Sequence, residues 1–296
     1  MQPGNRLEYL LILGIAFLFR WLPINLSRGL GRSVGSFAGN VLKIRRQVAE
    51  ENLSRAFPEL SPLEIHQRYL QTWQHFGMVA SELARLPRME LENLREQIDY
   101  PEPETLKAIF QRGKGVIFVS GHLGNWEWLG AMVASSGFPF TFVVEQQSNR
   151  LVEAWIDRMR MRGNVEIFSR SHAAKGTLQA LKNNRMVAML SDQDAGSAGV
   201  FVRFFKRPAS TPRGPALFHL KTGAPLVYGS CCRESGRYRL HFEEIVPVPL
   251  SGDREIDERA IMELISSRLE ADIRAHPDQY MWLHRRWKTP IKQPNE

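Results

Sequence analysis

Two side chains that can exchange a proton lie close together in the apolar segment VIFVSGHLGNWEWLG, which runs from Val116 to Gly130. His122 and Glu127 are separated by four residues. An anionic carboxylate can hold one imidazole nitrogen and thereby keep the other nitrogen basic. The pair therefore predicts a dyad able to remove a proton from a hydroxyl group, although a buried histidine beside a glutamate is also common as structure alone.

The neighbouring residues predict how this pair is held. Residues 115–120 predict a buried strand, and Asn125 is a good N-cap for a helix over residues 125–136. Residues five positions apart on one helix diverge by about 140°, so the two side chains can meet only if His122 lies on the loop and Glu127 in the first turn. The helix dipole favours an anionic Glu127, and ligands of α/β sheets bind beyond the carboxyl ends of strands. Backbone amides at the start of the helix could stabilise an oxyanion.

Two further clusters carry charge. In DRMRMRGN, Arg160 and Arg162 could clamp the phosphates or the carboxylate of an anionic glycolipid, which arginine binds bidentately. Near the end of a helix they could equally complement its dipole. The sequence Asp192-Gln193-Asp194 is similar to the D-x-D that holds Mn²⁺ and a nucleotide sugar in glycosyltransferases, but it could also form a turn with side-chain hydrogen bonds.

The composition suits a folded chain with an anionic partner. The 296 residues are 43% hydrophobic and carry a net charge of +8, which fits one large domain, or a domain with an anchor, that contacts nucleic acid, an anionic membrane or a phosphorylated substrate. Residues 280–288 mix aromatic and basic side chains without any nucleic-acid-binding motif, so we expect membrane contact or a C-terminal strand with buried tryptophans rather than nucleic acid. Cys231 and Cys232 lack the spacing of a zinc site and are expected to be reduced core residues on opposite faces of a strand.

The amino terminus has the composition of a membrane anchor. Its uninterrupted apolar run, Tyr9 to Phe19, is short for a bilayer span. Glu8 and the lack of a small-residue cleavage site disfavour a secretory signal peptide. We therefore predict an anchor helix over residues 1–25, either interfacial or a short tilted span, with a core helix as the alternative. Basic residues accumulate just after it and predict a cytoplasmic position for the catalytic domain, residues 26–296.

Predicted strands alternate with predicted helices from residue 115 onward, which favours an α/β fold with a mixed, largely parallel sheet flanked by helices. Small residues between Gly29 and Gly39 predict either a helix that packs closely on another or a flexible hinge. The predicted strands are 115–120, 140–145, 165–168, 186–191, 200–205, 225–232 and 238–245. The predicted helices are 43–86 with an interruption at 57–62, then 125–136, 149–162, 173–183, 214–222 and 257–275.

Several segments together carry a family resemblance. His122-x4-Glu127 resembles the His-x4-Asp/Glu motif of the glycerolipid and lipid A acyltransferases, and its glutamate form is similar to the lipid A late acyltransferases, which acylate a Kdo-lipid A precursor. Four more segments resemble an N-terminal segment, an arginine-rich turn, a strand end and a C-terminal signature of that family; they are ENLSRAFPELS, RMRGN, SDQD and PDQYMWLHRRWKTP. The resemblance covers nearly the whole chain and implies a glycerolipid acyltransferase-like fold.

The resemblance implies an acyltransferase that needs no metal or other cofactor. His122 is implied as the general base on the acceptor hydroxyl and Glu127 as its orienting partner. Arg160 corresponds to a basic residue needed for activity and Asp192 to an acidic one; with Asn125 and Arg162 they form the candidate substrate-binding set.

The partners implied are a membrane, an acyl donor and a glycolipid acceptor. The donor would be acyl-acyl carrier protein or acyl-CoA, and the acceptor a lipid A precursor at the cytoplasmic face of the bacterial inner membrane. GHLGNWE departs from the enterobacterial lauroyl transferases, where bulkier residues follow the histidine. The acceptor therefore stays open between lipid A and another glycolipid or phospholipid, and a metal-dependent D-x-D glycosyltransferase is the remaining alternative.

Overall fold

The computed structural model describes residues 3–100, 103–144, 149–160, 165–169, 173–246 and 249–291. Within these ranges the helices are α1 Pro3–Trp21, α2 Ile24–Asn40, α3 Arg46–Ala56, α4 Pro62–Arg85, α5 Leu91–Gln97, α6 Pro103–Phe110, α7 Trp126–Ser135, α8 Arg150–Arg160, α9 Ala173–Lys182, α10 Gly214–Thr222 and α11 Arg254–Ala275. The strands are β1 Ile98–Asp99, β2 Val116–Ser120, β3 Phe140–Val144, β4 Val165–Ser169, β5 Met186–Leu190, β6 Val200–Phe204, β7 Arg207–Thr211, β8 Leu226–Glu234 and β9 Arg237–Ile245. Short 3-10 turns occupy Leu86–Arg88, Gly196–Ala198 and Pro277–Gln279.

A seven-stranded sheet organises the described part of the chain. Its strand order is β1-β9-β8-β2-β5-β3-β4. β8 and β9 pair antiparallel, whereas every other neighbouring pair in this order is parallel. The predicted mixed, largely parallel sheet flanked by helices is therefore confirmed. β6 and β7 form a separate hairpin; the sequence predicts β6 but not β7, because RPAST carries a proline and no run of apolar residues.

The central strands are buried on both faces. In β2, Val116 and Phe118 belong to one apolar cluster, and Ile117 and Val119 belong to the other. Side chains alternate along a strand, so a strand that is apolar at every position needs cover on both sides. Helices α5, α6 and α7 cover one face, and α3, α4, α9, α10 and α11 cover the other.

The two cysteines of β8 follow the same alternation. Cys231 belongs to the cluster beneath α7, and Cys232 belongs to the cluster beneath α11. Both are buried free thiols. The prediction that they point to opposite faces of one strand is confirmed.

The amino-terminal helices lie against α4. Ala16 and Phe19 of α1 are buried beside Ala84 of α4, and α1 also contacts α2 and α8. Pro23 separates α1 from α2. None of the helices in the described ranges combines the length and the apolar content needed to cross a bilayer.

Glycines allow α2 and α4 to cross at very short range. A Cβ atom built on Gly35 would lie 2.0 Å from the carbonyl oxygen of Trp73, and one on Gly77 would lie 2.0 Å from the carbonyl oxygen of Gly31. Real side chains cannot approach backbone so closely, so only glycine fits at these positions. Of the two predictions for this segment, close helix packing is confirmed and a flexible hinge is wrong.

The segment after α11 is not a strand, which corrects that prediction. Apart from one bridge between Tyr280 and Leu123, residues 280–291 run as turns and irregular backbone. The side-chain amide of Asn52 donates to the carbonyl oxygens of Trp282 at 2.7 Å and His284 at 2.6 Å. These carbonyls are thus bound by a helix side chain instead of a neighbouring strand. The alternative of buried tryptophans holds for Trp282, which is fully buried.

Candidate active site

The C-terminal segment, residues 276–291 after α11, holds the loop that carries His122. The carbonyl oxygen of His122 accepts from the Met281 amide at 3.0 Å, and the Gly124 amide donates to the Gln279 carbonyl at 3.0 Å. Gly124 has a φ of +60°, and a Cβ there would lie 2.0 Å from the carbonyl oxygen of Cys231, so the loop can pass this close to β8 only at a glycine. His122 lies at the carboxyl end of β2, as predicted.

Asp192 binds the imidazole of His122. Its Oδ1 lies 2.8 Å from Nδ1 of the ring, and its Oδ2 accepts from the backbone N–H of His122 at 2.9 Å. A carboxylate can only accept, so Nδ1 carries the proton and Nε2 is left as the basic nitrogen. The side chain of Asp192 is 2% exposed and that of His122 is 19% exposed. The ring therefore stays partly accessible, and it packs with the Trp126 ring in a T-shaped arrangement with the ring centroids 5.1 Å apart.

The surroundings of the pair favour a charged histidine. Burial alone would lower the pKa of His122, but the charge and hydrogen bond of Asp192, with a smaller contribution from Glu127, raise that pKa above its ordinary value. Burial would likewise raise the pKa of Asp192, yet the hydrogen bonds and charge of His122 hold that pKa below its ordinary value. Asp192 therefore stays anionic and increases the basicity of the imidazole.

Glu127 binds Arg160 rather than His122, which corrects the role predicted for its carboxylate. Arg160 donates from Nε to Oε2 at 2.9 Å and from Nη2 to Oε1 at 2.5 Å, and Trp126 Nε1 donates to Oε1 at 3.0 Å. Burial tends to lower the pKa of Arg160, but Glu127 outweighs burial and raises it. The guanidinium fork assigned to a substrate phosphate is thus occupied by Glu127. Helical geometry explains the difference: Glu127 faces α8 across the pocket, while His122 faces the end of β5.

Asn125 caps α7 as predicted, but its side chain serves the protein interior. Its Oδ1 accepts from the Trp128 amide at 2.9 Å, and its Nδ2 donates to Glu82 at 2.8 Å. The residue is fully buried, so its side chain positions the helix instead of lining a substrate site. Glu82, also fully buried, binds Arg28 and Arg233 as well. The sequence gives no sign of this network, because Glu82 lies 43 positions from Asn125 in an ordinary helical pattern.

The two acids of the D-x-D sequence have separate tasks. Asp194 accepts from the Gly196 amide at 3.1 Å, from the hydroxyl of Thr289 at 2.8 Å and from its amide at 3.1 Å. Asp194 therefore forms the predicted turn with side-chain hydrogen bonds, and only Asp192 belongs to the site. Arg162 lies outside the described residues.

The C-terminal segment also supports Asp192. The hydroxyl of Tyr280 lies 3.4 Å from the Asp192 carbonyl oxygen. The buried side chain of Arg286 donates to the Ser210 carbonyl and the Thr211 hydroxyl, each at 2.6 Å, and its charge contributes to the low pKa of Asp192. Sequence reasoning assigns neither residue to the site. The density of aromatic and basic residues in this segment is the one signal that could have pointed to them.

An apolar pocket of about 50 Å³ adjoins the site. Trp126, Glu127 and Arg160 line it together with apolar residues of β2, β3, β5 and α7, among them Phe142 and Gly130. This volume is well below the several hundred Å³ of a typical ligand pocket. The pocket is therefore large enough for the first part of an apolar chain and must widen to take more.

Comparisons with known proteins identify the family of this chain. The sequence model of the family described as bacterial lipid A biosynthesis acyltransferase matches residues 5–289. The lipid A biosynthesis palmitoleoyltransferase of Escherichia coli (strain K12) is 28% identical over 282 residues, which cover 94% of this chain and 90% of that protein. The lipid A biosynthesis lauroyltransferase of the same strain is 27% identical over 296 residues, which cover 98% of this chain and 94% of that protein.

A second group of relatives carries a different name. The phosphatidylinositol mannoside acyltransferase of Mycobacterium tuberculosis (strain CDC 1551 / Oshkosh) is 27% identical over 227 residues, which cover 74% of this chain and 70% of that protein. All three relatives are acyltransferases by name, so the glycosyltransferase alternative is wrong. With the family match over most of its length, the chain belongs to the bacterial lipid A biosynthesis acyltransferase family and is an acyltransferase.

Proposed function

We propose that this acyltransferase moves a fatty acyl chain from an acyl thioester to a hydroxyl group of a lipid A precursor. The observation that supports it most directly is the placement of a basic imidazole beside an apolar pocket. His122 has its Nδ1 bound to Asp192 and is partly accessible, and Trp126, which packs on its ring, lines the pocket.

The proposed chemistry is a single displacement. Nε2 of His122 removes the proton of the acceptor hydroxyl, and the oxygen attacks the thioester carbonyl. In this proposal the amides of Trp126 and Glu127, which start α7 and have no intrahelical acceptor, stabilise the oxyanion of the tetrahedral intermediate. When the carbon–sulfur bond breaks, the thiolate takes the proton from His122. No covalent enzyme intermediate is needed, because the thioester is already activated.

Glu127 and Arg160 form an ion pair that lines the apolar pocket beside His122. Glu127 adds negative charge that favours the protonated imidazole formed during the reaction. It also fixes the guanidinium of Arg160 on the wall of the apolar pocket. In this proposal the orienting role predicted for Glu127 passes to Asp192, and Glu127 positions Arg160.

We further propose that α1 and α2 lie in the membrane interface, so that residues 1–25 anchor the catalytic domain from its cytoplasmic side. Both helices and the turn after them expose large apolar side chains, and contiguous patches of this kind mark interaction surfaces. The exposed residues are Leu7, Leu10, Leu11, Ile15, Phe17, Leu18, Trp21, Leu26, Leu30, Val34, Phe37, Val41, Leu42 and Ile44.

The test is acyl transfer by the purified protein in detergent. Acyl-acyl carrier protein and acyl-CoA should each be supplied with a lipid A precursor and, separately, with a phosphatidylinositol mannoside, and the lipids analysed by mass spectrometry. We expect transfer from the carrier-protein thioester to the lipid A precursor, and loss of transfer in His122→Ala. Transfer only to the mannoside would show that the acceptor is a phosphatidylinositol mannoside and not a lipid A precursor. No transfer with any pair of donor and acceptor would refute the proposal.

A further inference from the structure

A second, strongly basic pocket lies beside the site. It is a concavity of about 640 Å³ between the turn that joins α2 to α3 and the C-terminal segment. Five of its lining residues are cations, and none is an acid; the cations are Lys43, Arg45, Arg46, Arg285 and Lys288. A concave cluster of one charge raises the local concentration of its counter-ion. This basic pocket therefore favours an anionic ligand.

The fold builds this pocket from two distant parts of the chain. Arg45 donates to the carbonyl oxygen of Leu283 at 3.3 Å, and Asn52 of α3 holds the neighbouring carbonyls of the C-terminal segment. Within that segment the two consecutive arginines point apart. Arg286 is buried, whereas Arg285 is exposed on the pocket wall.

Most of the positive charge is not neutralised by the protein. Arg46 pairs with Glu50 at 2.8 Å, and Glu50 also binds His66. No ion pair between described residues involves Lys43, Arg285 or Lys288. These three cations therefore remain available to a ligand.

The basic pocket lies between the catalytic residues and the exposed apolar residues of α1, α2 and the turn that follows α2. His284, which lines it, accepts from the Asp194 amide through Nε2 at 3.1 Å. Burial lowers the pKa of His284, and the charges of Asp192 and His122 also act on that pKa. On the other side, Leu42 and Ile44 alternate with Lys43 and Arg45 and are exposed. An amphipathic lipid bound here would have its charged groups in the pocket and its chains against the apolar surface.

We propose that this basic pocket binds the phosphate groups of the acceptor's headgroup and so presents the acceptor hydroxyl to His122. The inference rests on the proposed function. It moves headgroup recognition from Arg160, whose guanidinium Glu127 occupies, to Lys43, Arg285 and Lys288. A soluble carrier protein fits less well, because protein partners bury about 800 Å² on each side, whereas the cations here converge on one concavity beside apolar residues.

The decisive variant is Arg285→Ala/Lys288→Ala, with Lys221→Ala/Arg259→Ala as a control that removes two exposed charges elsewhere. Acyl transfer is measured in mixed micelles with a phosphorylated lipid A precursor and with the same lipid after phosphatase treatment. We expect the KM for the phosphorylated acceptor to rise about tenfold or more, since charge-assisted contacts are lost. The kcat, the KM for the acyl donor and the KM for the dephosphorylated acceptor should stay close to wild type, as should all values for the control.

A binding measurement separates this inference from the proposed function. His122→Ala, alone and combined with Arg285→Ala/Lys288→Ala, is sedimented with phosphatidylcholine vesicles that contain the precursor, with and without added inorganic phosphate. Weaker sedimentation of the combined variant supports the pocket even if no acyl transfer is detected. Unchanged acceptor KM and unchanged sedimentation overturn it, as does a rise in the KM for the acyl donor, which would mark a carrier-protein site. Binding of free phosphate without any change in the acceptor KM or in the sedimentation also overturns it.

Discussion

Asp192 binds His122 twice, through Oδ1 to the imidazole Nδ1 at 2.8 Å and through Oδ2 to the backbone N–H at 2.9 Å. The end of β5 and the loop after β2 are thereby fixed to each other. The ring can neither rotate nor change its tautomer without breaking one of these bonds. The basic nitrogen, Nε2, is therefore the ring nitrogen that Asp192 leaves free.

Removal of the Asp192 charge should change both the rate and its pH dependence. Because Asp192 raises the pKa of His122, the free base of wild type forms at a pH above the ordinary histidine value of about 6.5, and activity rises with pH through that point. Asp192→Asn should lower this pKa and shift the rise to lower pH. Its plateau in kcat/KM should fall by roughly 10²–10⁴-fold, the usual contribution of general-base catalysis. An unshifted profile with a plateau near wild type would show that Asp192 does not orient the base.

Loss of the Glu127 carboxylate should lower the stability of the protein as well as its rate of acyl transfer. Glu127→Gln removes the close counter-charge of the largely buried Arg160 and leaves it, among the described residues, only Asp157 at 3.8 Å, which should lower the free energy of unfolding by about 3 kcal/mol. Addition of Arg160→Gln should restore most of this stability but not the activity. Denaturant titration measures the effect, and Glu104→Gln, in an exposed pair with Lys107, is a control expected to change stability by less than about 1 kcal/mol. An equally small change in Glu127→Gln would contradict the buried pair.

The crossing of α2 and α4 should not tolerate a methyl group. Gly35→Ala would place its Cβ against the Trp73 carbonyl oxygen, and such overpacking costs roughly 1–3 kcal/mol. Gly29 lies on the same helix with nothing within 4 Å of its Cβ position, so Gly29→Ala should stabilise by about 0.5–1 kcal/mol. Thermal unfolding of the two variants compares them directly, and a stable Gly35→Ala protein would contradict the close packing.

The apolar pocket should select acyl chains by size. A Cβ on Gly130 would lie 2.5 Å from Cζ of Phe142, so Gly130→Ala should push this ring into the pocket and favour shorter chains. Phe142→Ala should enlarge the pocket and favour longer chains. Competition between acyl-carrier-protein donors of a homologous series measures the preference. Identical preferences in both variants would show that the chain binds elsewhere.

Binding of the protein to membranes should depend on the exposed apolar side chains of α1. Leu10 is 62% exposed on α1, and Ile256 is 59% exposed on α11. Leu10→Glu should weaken sedimentation with lipid vesicles by about tenfold, since a leucine buried in the interface contributes roughly 1.5–3 kcal/mol. Ile256→Glu should have no effect. Equal loss in both variants would point to a general solubility effect instead of a specific membrane surface.

Most of the sheet could be predicted from the sequence, because its cause is local. Each central strand is a short apolar run bounded by glycine or polar residues, and the two faces of β8 follow directly from alternation at Cys231 and Cys232. The capping role of Asn125 could likewise be predicted, because an asparagine directly before a helical segment is a typical N-cap. β7 was missed because Arg207–Thr211 lacks such a pattern and becomes a strand only through pairing with β6.

His122 and Asp192 were each recognised as site residues from the sequence, but their pairing was not. Glu127, five positions from the histidine, looked like the natural partner, whereas Asp192 is 70 positions away. Adjacent parallel strands bring His122 and Asp192 to the same edge of the sheet, and the first turn of α7 directs Glu127 toward α8. The sequence by itself determined which groups could do the chemistry. The tertiary structure alone decided which anion holds the imidazole and which holds the guanidinium, because a hydrogen bond depends on distance in space and not on separation along the chain.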